Sequence, residues 1–449
     1  MTHATARANT ARLAVAALAL LAPEAALAVA TPAPGEYALR LDADLSAAVA
    51  APGPCLALAS EAAPALRLSL GAEEGERQYQ RNFLVPSLEV PLFVIALNWA
   101  NRLAGNEWAV VNGFNTFWEH LFHGPWVYDT DDIQTNFSLH PYNGSVYFNM
   151  ARSSGLDFWW SFGYAFAGSL LWELGAEVEP PSKNDQVMTS VGGTFVGEAL
   201  YRSFALILSG GGGEPGFWRE ASAFVVSPAA GFNRLLFGDR YRTPVWDDHP
   251  RVFYRLSLGG GVARNNTPDG RRQDGGYAVG TVEIEYGQPA DRSFRVRRPF
   301  DAFMLRLSVG GAGPIGPGGT TQVHGAIAGW RLDAGPFSGI WGIAGNYDFI
   351  NAGVYRVGSA AMGLDATGEF DLSDSVSLRT SLSVLAVLMG AAGSTAQPQG
   401  GRDYHVGPGG QANLDLRLLL GATAMLELTS RQFVIGPAAF PGWEDITYG

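Results

Sequence analysis

From Arg251 onward, apolar residues recur at every second position, and this period of two confines the C-terminal half to β-structure. Val252, Tyr254, Leu256 and Leu258 alternate with Arg251, Phe253, Arg255 and Ser257. The same alternation runs through Val282–Tyr286, Phe303–Val309, Leu364–Leu372, Val376–Val384 and Ala412–Leu418. Ser373-Asp374-Ser375 reads as the turn joining two of these strands, and weaker strands cover 321–333, 337–349 and 422–435. The expectation is an antiparallel sheet of about eight to ten strands over 250–449, curled into a barrel.

Alternation alone leaves two readings. A soluble barrel turns its apolar set inward, whereas a membrane barrel turns that set toward lipid and its charges toward the lumen. Other features favour the membrane. Arg7 and Arg12 precede an apolar run from Leu13 to Ala22, and Ala26-Leu27-Ala28 forms an A-x-A cleavage site, so residues 1–28 read as a secretory signal peptide. Glycine makes up 57 of 449 residues, charged residues only 16%, and there are 12 Trp. The expected location is the bacterial outer membrane, with its lipid as partner. The end, Ile446-Thr447-Tyr448-Gly449 after Pro441, is not a clean closing strand.

The net charge is −12, and loss of Arg7, Arg12 and Glu24 with the signal peptide makes it −13. An acidic chain without a basic patch is a poor phosphate neutraliser, so nucleic acid is not an expected partner. The single cysteine, Cys55, has no internal disulfide partner. Residues 29–87 begin with Ala, Pro and Glu without firm period and read as a linker or weakly ordered extension.

Residues 88–238 carry helical patterning. Helices are expected over Leu88–Leu103, Trp108–Phe122, Asp157–Glu177, Ser182–Leu208 and Phe217–Phe237, the last interrupted at Pro228. No stretch after the signal peptide reaches the ~18 apolar residues of a spanning helix. Together these spans give an α+β multidomain layout, a helical domain followed by the barrel.

The chemistry-bearing residues fall within 119–202. Ser182 is the expected N-cap of its helix, with Asp185 as the acid of a capping box. Glu198 and Arg202 stand at i, i+4 in the favourable order for a pair. Gly192, Gly193 and Gly197 predict close packing against another element, the aromatic helix Phe158–Trp172 being the expected surface. Glu173 and Glu177 are like charges at i, i+4, which calls for a cation, a metal ion or a raised pKa. His140, before Pro141, is expected in an extended or turn conformation. His140, Glu173, Glu177 and Asp185 are the catalytic candidates. Glu119, His120 and His123 form E-H-x-x-H, a metal candidate in the wrong order for a metalloprotease helix. No cofactor is expected.

The run His140-Pro141-Tyr142-Asn143-Gly144-Ser145-Val146-Tyr147-Phe148-Asn149, with Ala151-Arg152, is followed by Gly168-Ser169-Leu170-Leu171-Trp172-Glu173. Then come Pro181-Ser182, Asn184-Asp185, Gly192-Gly193, Gly197-Glu198 and Tyr201-Arg202. This set resembles the bacterial envelope family catalogued as domain of unknown function 3943. The resemblance implies an outer-membrane or envelope protein and brings no assigned activity. The primary expectation is thus a non-enzymatic outer-membrane barrel whose helical domain plugs, caps or docks on it. The alternatives are a membrane-associated hydrolase of lipid or cell-wall material, or a lipid or small-molecule binding module. Arg152, Ser182, Gly192, Gly193, Gly197, Glu198 and Arg202 are expected to be structural.

Overall fold

The computed structural model describes residues 81–438, except 112, 211–214, 239–250, 267–271, 313–315, 352–354, 395–403, 422 and 437. The expected signal peptide, Cys55, most of the expected 29–87 linker and the C-terminal end lie outside these residues.

Among the described residues, eight α-helices lead: α1 (Leu84–Leu103), α2 (Phe114–Phe122), α3 (His140–Ser153), α4 (Phe158–Gly175), α5 (Lys183–Val187), α6 (Gly193–Ser209), α7 (Phe217–Val226) and α8 (Pro228–Phe237). The first helix starts at Leu84, four residues before the expected boundary, and is long and apolar enough to cross a membrane by length and composition. The 182–208 segment is α5 and α6 joined by a π-helical turn, Met188–Gly192. A second π-turn, Thr135–Leu139, runs into α3. That helix was not expected.

Nine strands follow among the described residues: β1 (Val252–Asn266), β2 (Arg272–Tyr286), β3 (Phe303–Ala312), β4 (Gly316–Ala334), β5 (Phe337–Asn351), β6 (Tyr355–Ser373), β7 (Val376–Ser394), β8 (Tyr404–Leu420) and β9 (Thr423–Ile435). They pair antiparallel in sequence order, so the topology is a simple meander. The strongly and weakly alternating stretches alike are strands.

Side-chain contacts between distant strands fix the curl. On β2, Glu283 accepts from Arg255 of β1, Arg306 of β3 and Arg417 of β8, each at 2.7 Å. Glu285 of β2 accepts from Arg379 of β7 at 2.6 Å. Arg255 also pairs with Glu427 of β9. Strands so far apart in the sheet meet through these side chains only if it curls with this charged face inward. A second polar layer centres on Asp348, which accepts from Gln322 at 3.0 Å, Asn346 at 2.7 Å and Gln411 at 2.5 Å. A cavity of about 280 Å³ lies within, lined among others by Arg306, His324, Arg379 and Arg417.

The alternate residues face outward, and many are large, apolar and bare. Leu258 is 84% exposed, Val309 62% and Val384 63%. Trp330 and Trp341, opposite one another on β4 and β5, are also exposed. Hydrophobicity is thus inverted relative to a soluble barrel, which hides its apolar set inside.

The helical domain docks on this outward face. Phe195 of α6 stacks on Phe300 at 5.9 Å. It also lies over Gly345, where a Cβ would stand 2.5 Å from the ring, so the approach needs glycine. Tyr147, Phe148, Phe195, Leu305, Tyr347 and Tyr404 belong to one buried core shared by helices and strands. Leu305 therefore faces outward but is covered by the helical domain.

Candidate functional site

Local chain chemistry assembles the site. Val127 bridges to Ser182 through two backbone hydrogen bonds, Val127 N to Pro181 O at 2.9 Å and Lys183 N to Val127 O at 2.8 Å. This brings the acidic loop after Trp126 to the start of α5, and Asn184 accepts from the Asp129 amide at 2.8 Å.

His140 has helical φ/ψ of −61° and −48°, not the expected extended conformation. Proline normally disfavours that conformation in the residue before it and deprives the carbonyl four residues back of its donor. Here the wider π-turn carries the chain into α3. The carbonyl four back, that of Phe137, accepts instead from the Tyr347 hydroxyl of β5 at 2.7 Å. Nearby, the Tyr404 hydroxyl of β8 donates to Asp131 O at 2.6 Å and accepts from Asn136 at 2.8 Å.

Helix α4 is capped by Asp157, whose carboxylate accepts from the Trp159 and Trp160 amides at 3.1 Å. Its other end delivers Glu173 and, just beyond, Glu177. Ser182 caps α5 as expected, its hydroxyl accepting from the Asp185 amide at 3.1 Å. The reciprocal half of the capping box is not made by Asp185. The Ser182 amide donates to Glu173 Oε2 at 2.7 Å, and Asp185 accepts from the Asn184 side chain at 2.9 Å. An acid from another helix has taken the capping role, which leaves Asp185 available elsewhere.

Three of the four catalytic candidates come together, with Glu177 within electrostatic reach of them. Ligand atoms of His140, Glu173 and Asp185 all lie within 4.8 Å of one another. His140 Nε2 is 4.0 Å from Asp185 Oδ1, and its Nδ1 is 3.2 Å from Thr189 Oγ1 in the Met188–Gly192 π-turn. Glu177 accepts from the Trp172 indole at 2.5 Å. Burial, and then the charges of neighbouring carboxylates, pushes the carboxyls of Glu173, Glu177 and Asp185 well above the usual range. Burial lowers the His140 imidazole, against the raising pull of Asp129 and Asp131. Among the described residues, no lysine or arginine pairs with Glu173, Glu177 or Asp185.

Glu198 is the opposite case. Arg152 grips it with two bonds of 2.6 and 2.9 Å, and Arg202 adds one of 2.8 Å. Burial alone would raise this carboxyl, but the two guanidiniums outweigh it and hold the group below its ordinary value. Arg202 continues to Asp301 at 3.2 Å and to Pro299 O at 2.7 Å, tying the triad to the loop before β3. The expected Glu198–Arg202 pair is present, enlarged by Arg152.

The E-H-x-x-H residues of α2 do not converge with other ligand groups. His120 turns inward, its Nδ1 3.2 Å from the Glu173 carbonyl, while Glu119 and His123 are exposed. His123 already lies past the helix end, at φ −131°, so the i, i+3 spacing no longer puts both rings on one face.

The glycines pack tightly, but against α3 rather than the aromatic α4. A Cβ on Gly193 would stand 2.6 Å from Gly144 Cα, and one on Gly197 2.8 Å from the Phe148 ring. Gly192 faces Tyr347. Gly144 belongs to the family run quoted above, but its packing role follows only from α3, a helix that the residue spacing does not mark. The π-turns also escaped notice, since nothing in residue spacing marks one extra backbone residue per turn. Such turns recur at functional sites, and the two here flank His140 and carry Thr189.

No curated protein and no solved structure matches the chain. Residues 125–229 match a family model described as a domain of unknown function, DUF3943, and cover His140, Glu173, Glu177, Asp185 and the Arg152–Glu198–Arg202 triad alike. The segment that builds this buried polar centre is the one that matches the DUF3943 model.

Proposed function

We propose that the protein is an outer-membrane β-barrel protein whose helical domain is anchored on the outward side of the sheet. The observation that carries this reading is the inverted sheet, with exposed Leu, Val and Trp outside and an arginine–glutamate network inside. Lipid stabilises such an exterior, and water penalises it at about 25 cal/mol per Å² of apolar surface. The helical domain shares the preference: Trp99, Trp118, Trp159, Trp160 and Trp218 are exposed on it. Tryptophan at the surface suits the headgroup layer, where one end of the ring is dry and the other wet. Glu173 and Asp185 are only 2% and 3% exposed, which favours a scaffold role over hydrolysis.

On this reading the protein fractionates with outer membranes, needs detergent for extraction, and migrates faster on gels before heating than after. Recovery as a detergent-free soluble species sinks the proposal.

The two faces give a sharper test. Leu258 points outward, whereas its neighbour Ser257 points into the curl opposite Thr281. Leu258→Arg is expected to reduce assembled, heat-modifiable protein strongly, since arginine facing lipid near the midplane costs roughly 2–4 kcal/mol. Ser257→Arg is expected to assemble nearly normally. Equal amounts of both variants would place the outward face in water.

A further inference from the structure

We propose that His140, Glu173 and Asp185 bind one divalent first-row transition ion, such as Zn²⁺ or Mn²⁺, as a clamp between three helices. The residues come from the start of α3, the end of α4 and the start of α5, and their ligand atoms lie within 4.8 Å of each other. One imidazole and two carboxylates form a donor set that such ions accept, zinc through nitrogen and oxygen alike and manganese through oxygen. Among the described residues this is the one His/Asp/Glu group with ligand spacing.

Two contrasts within the same domain support an ion here. Glu198, equally buried, is neutralised by two arginines, whereas among the described residues Glu173, Glu177 and Asp185 have no lysine or arginine partner. A second, independent mark is Tyr147 of α3. Its hydroxyl is buried, makes no hydrogen bond, and stands within the electrostatic reach of both Glu173 and Glu177. One turn before Glu173 on α4, the Ser169 hydroxyl is likewise buried without a partner. Buried polar atoms in a native protein are normally satisfied, so unsatisfied hydroxyls beside clustered carboxylates mark space for a polar occupant. An ion with a bound water would meet both needs, the water facing Tyr147.

The ligands are already held for the task. Ser182 N orients Glu173, Asn184 orients Asp185, and Thr189 lies against the ring nitrogen of His140 remote from Asp185. Partners of this kind fix the direction of metal-binding side chains. Glu173 and Asp185 are buried and His140 is half-buried, which leaves little room for substrate, so the effect of the ion is expected in stability rather than turnover.

The test uses the full-length protein in detergent, stripped with chelator and dialysed against Zn²⁺ or Mn²⁺. The expected result is one ion per chain by elemental analysis, with Tm raised several degrees on reloading. In Glu173→Gln/Asp185→Asn, affinity is expected to fall at least 10-fold and the metal-dependent rise in Tm to vanish. The metal-free form of that variant is expected to melt no lower than metal-free wild type, because like charges have been removed. His140→Gln should likewise weaken binding, which guards against a folding defect in the double variant. Wild type that takes up no stoichiometric ion, or variants that bind as tightly as wild type, would overturn the assignment. So would a metal-free variant that melts higher with wild type indifferent to metal, since shared protons would then suffice.

Discussion

Glu198→Ala is expected to produce the largest loss of stability of any single charge removal in the helical domain. The substitution leaves Arg152 and Arg202 buried side by side, 7% and 1% exposed, with their shared anion gone. Breaking a buried pair in this way typically costs about 3–5 kcal/mol; here Arg152 loses its carboxylate partner outright, while Arg202 keeps Asp301 at 3.2 Å. Cation–π contacts with Tyr201 and Tyr286, at 4.9 and 5.3 Å, offset only part of it. Glu198→Gln keeps the shape but not the charge, so it is expected to fall nearly as far. Thermal unfolding of detergent-solubilised protein and steady-state abundance read the effect. A Tm within a degree or two of wild type for both variants would mean that the arginines find solvent or other acceptors.

The second large effect is steric. Gly193→Leu is expected to break the α3–α6 crossing, because the added Cβ meets backbone atoms of Gly144 and Pro141 at 2.6–3.0 Å. Backbone cannot rotate away as a side chain can. Overpacking usually costs about 1–3 kcal/mol and more where nothing can yield. Gly144→Ala meets the Thr189 carbonyl oxygen at 1.7 Å and is expected to be at least as damaging, although it adds a single methyl group. Gly163→Ala, on α4 with nothing within 4 Å, serves as the control and should leave Tm unchanged or slightly higher. Equal melting of all three would show that α3 and α6 separate freely.

The strands were legible because a period of two survives any reasonable choice of partner. Their inside and outside were not, since lipid-facing and core-facing alternation read the same along the chain. Only the meeting of Arg255 with Glu427, and of Arg417 with Glu283, assigns the charged set to the interior. In the site, residue identities were legible and their connections were not. His140, Glu173, Glu177 and Asp185 stand out as titratable groups in an aromatic block. That Glu173 would replace Asp185 in the Ser182 cap depends on how α4 crosses α5, which local spacing does not encode. Proline also misled. Pro141 suggested a break, whereas the π-turn and a tyrosine more than 200 residues away let the chain continue as helix.

That tyrosine bears on the order in which the protein can be made. The helical domain leaves the ribosome first, yet the Phe137 carbonyl waits for Tyr347 and the Asp131 carbonyl for Tyr404. Until β5 and β8 have arrived, these acceptors must stay hydrated, because an unmet buried group costs about 1–3 kcal/mol. The stretch from Asp131 to His140 can therefore dock dry only on a nearly complete sheet. On the outer-membrane reading proposed above, this would separate synthesis from completion: the early domain would travel unfinished, and the late strands would supply its last hydrogen bonds at the destination.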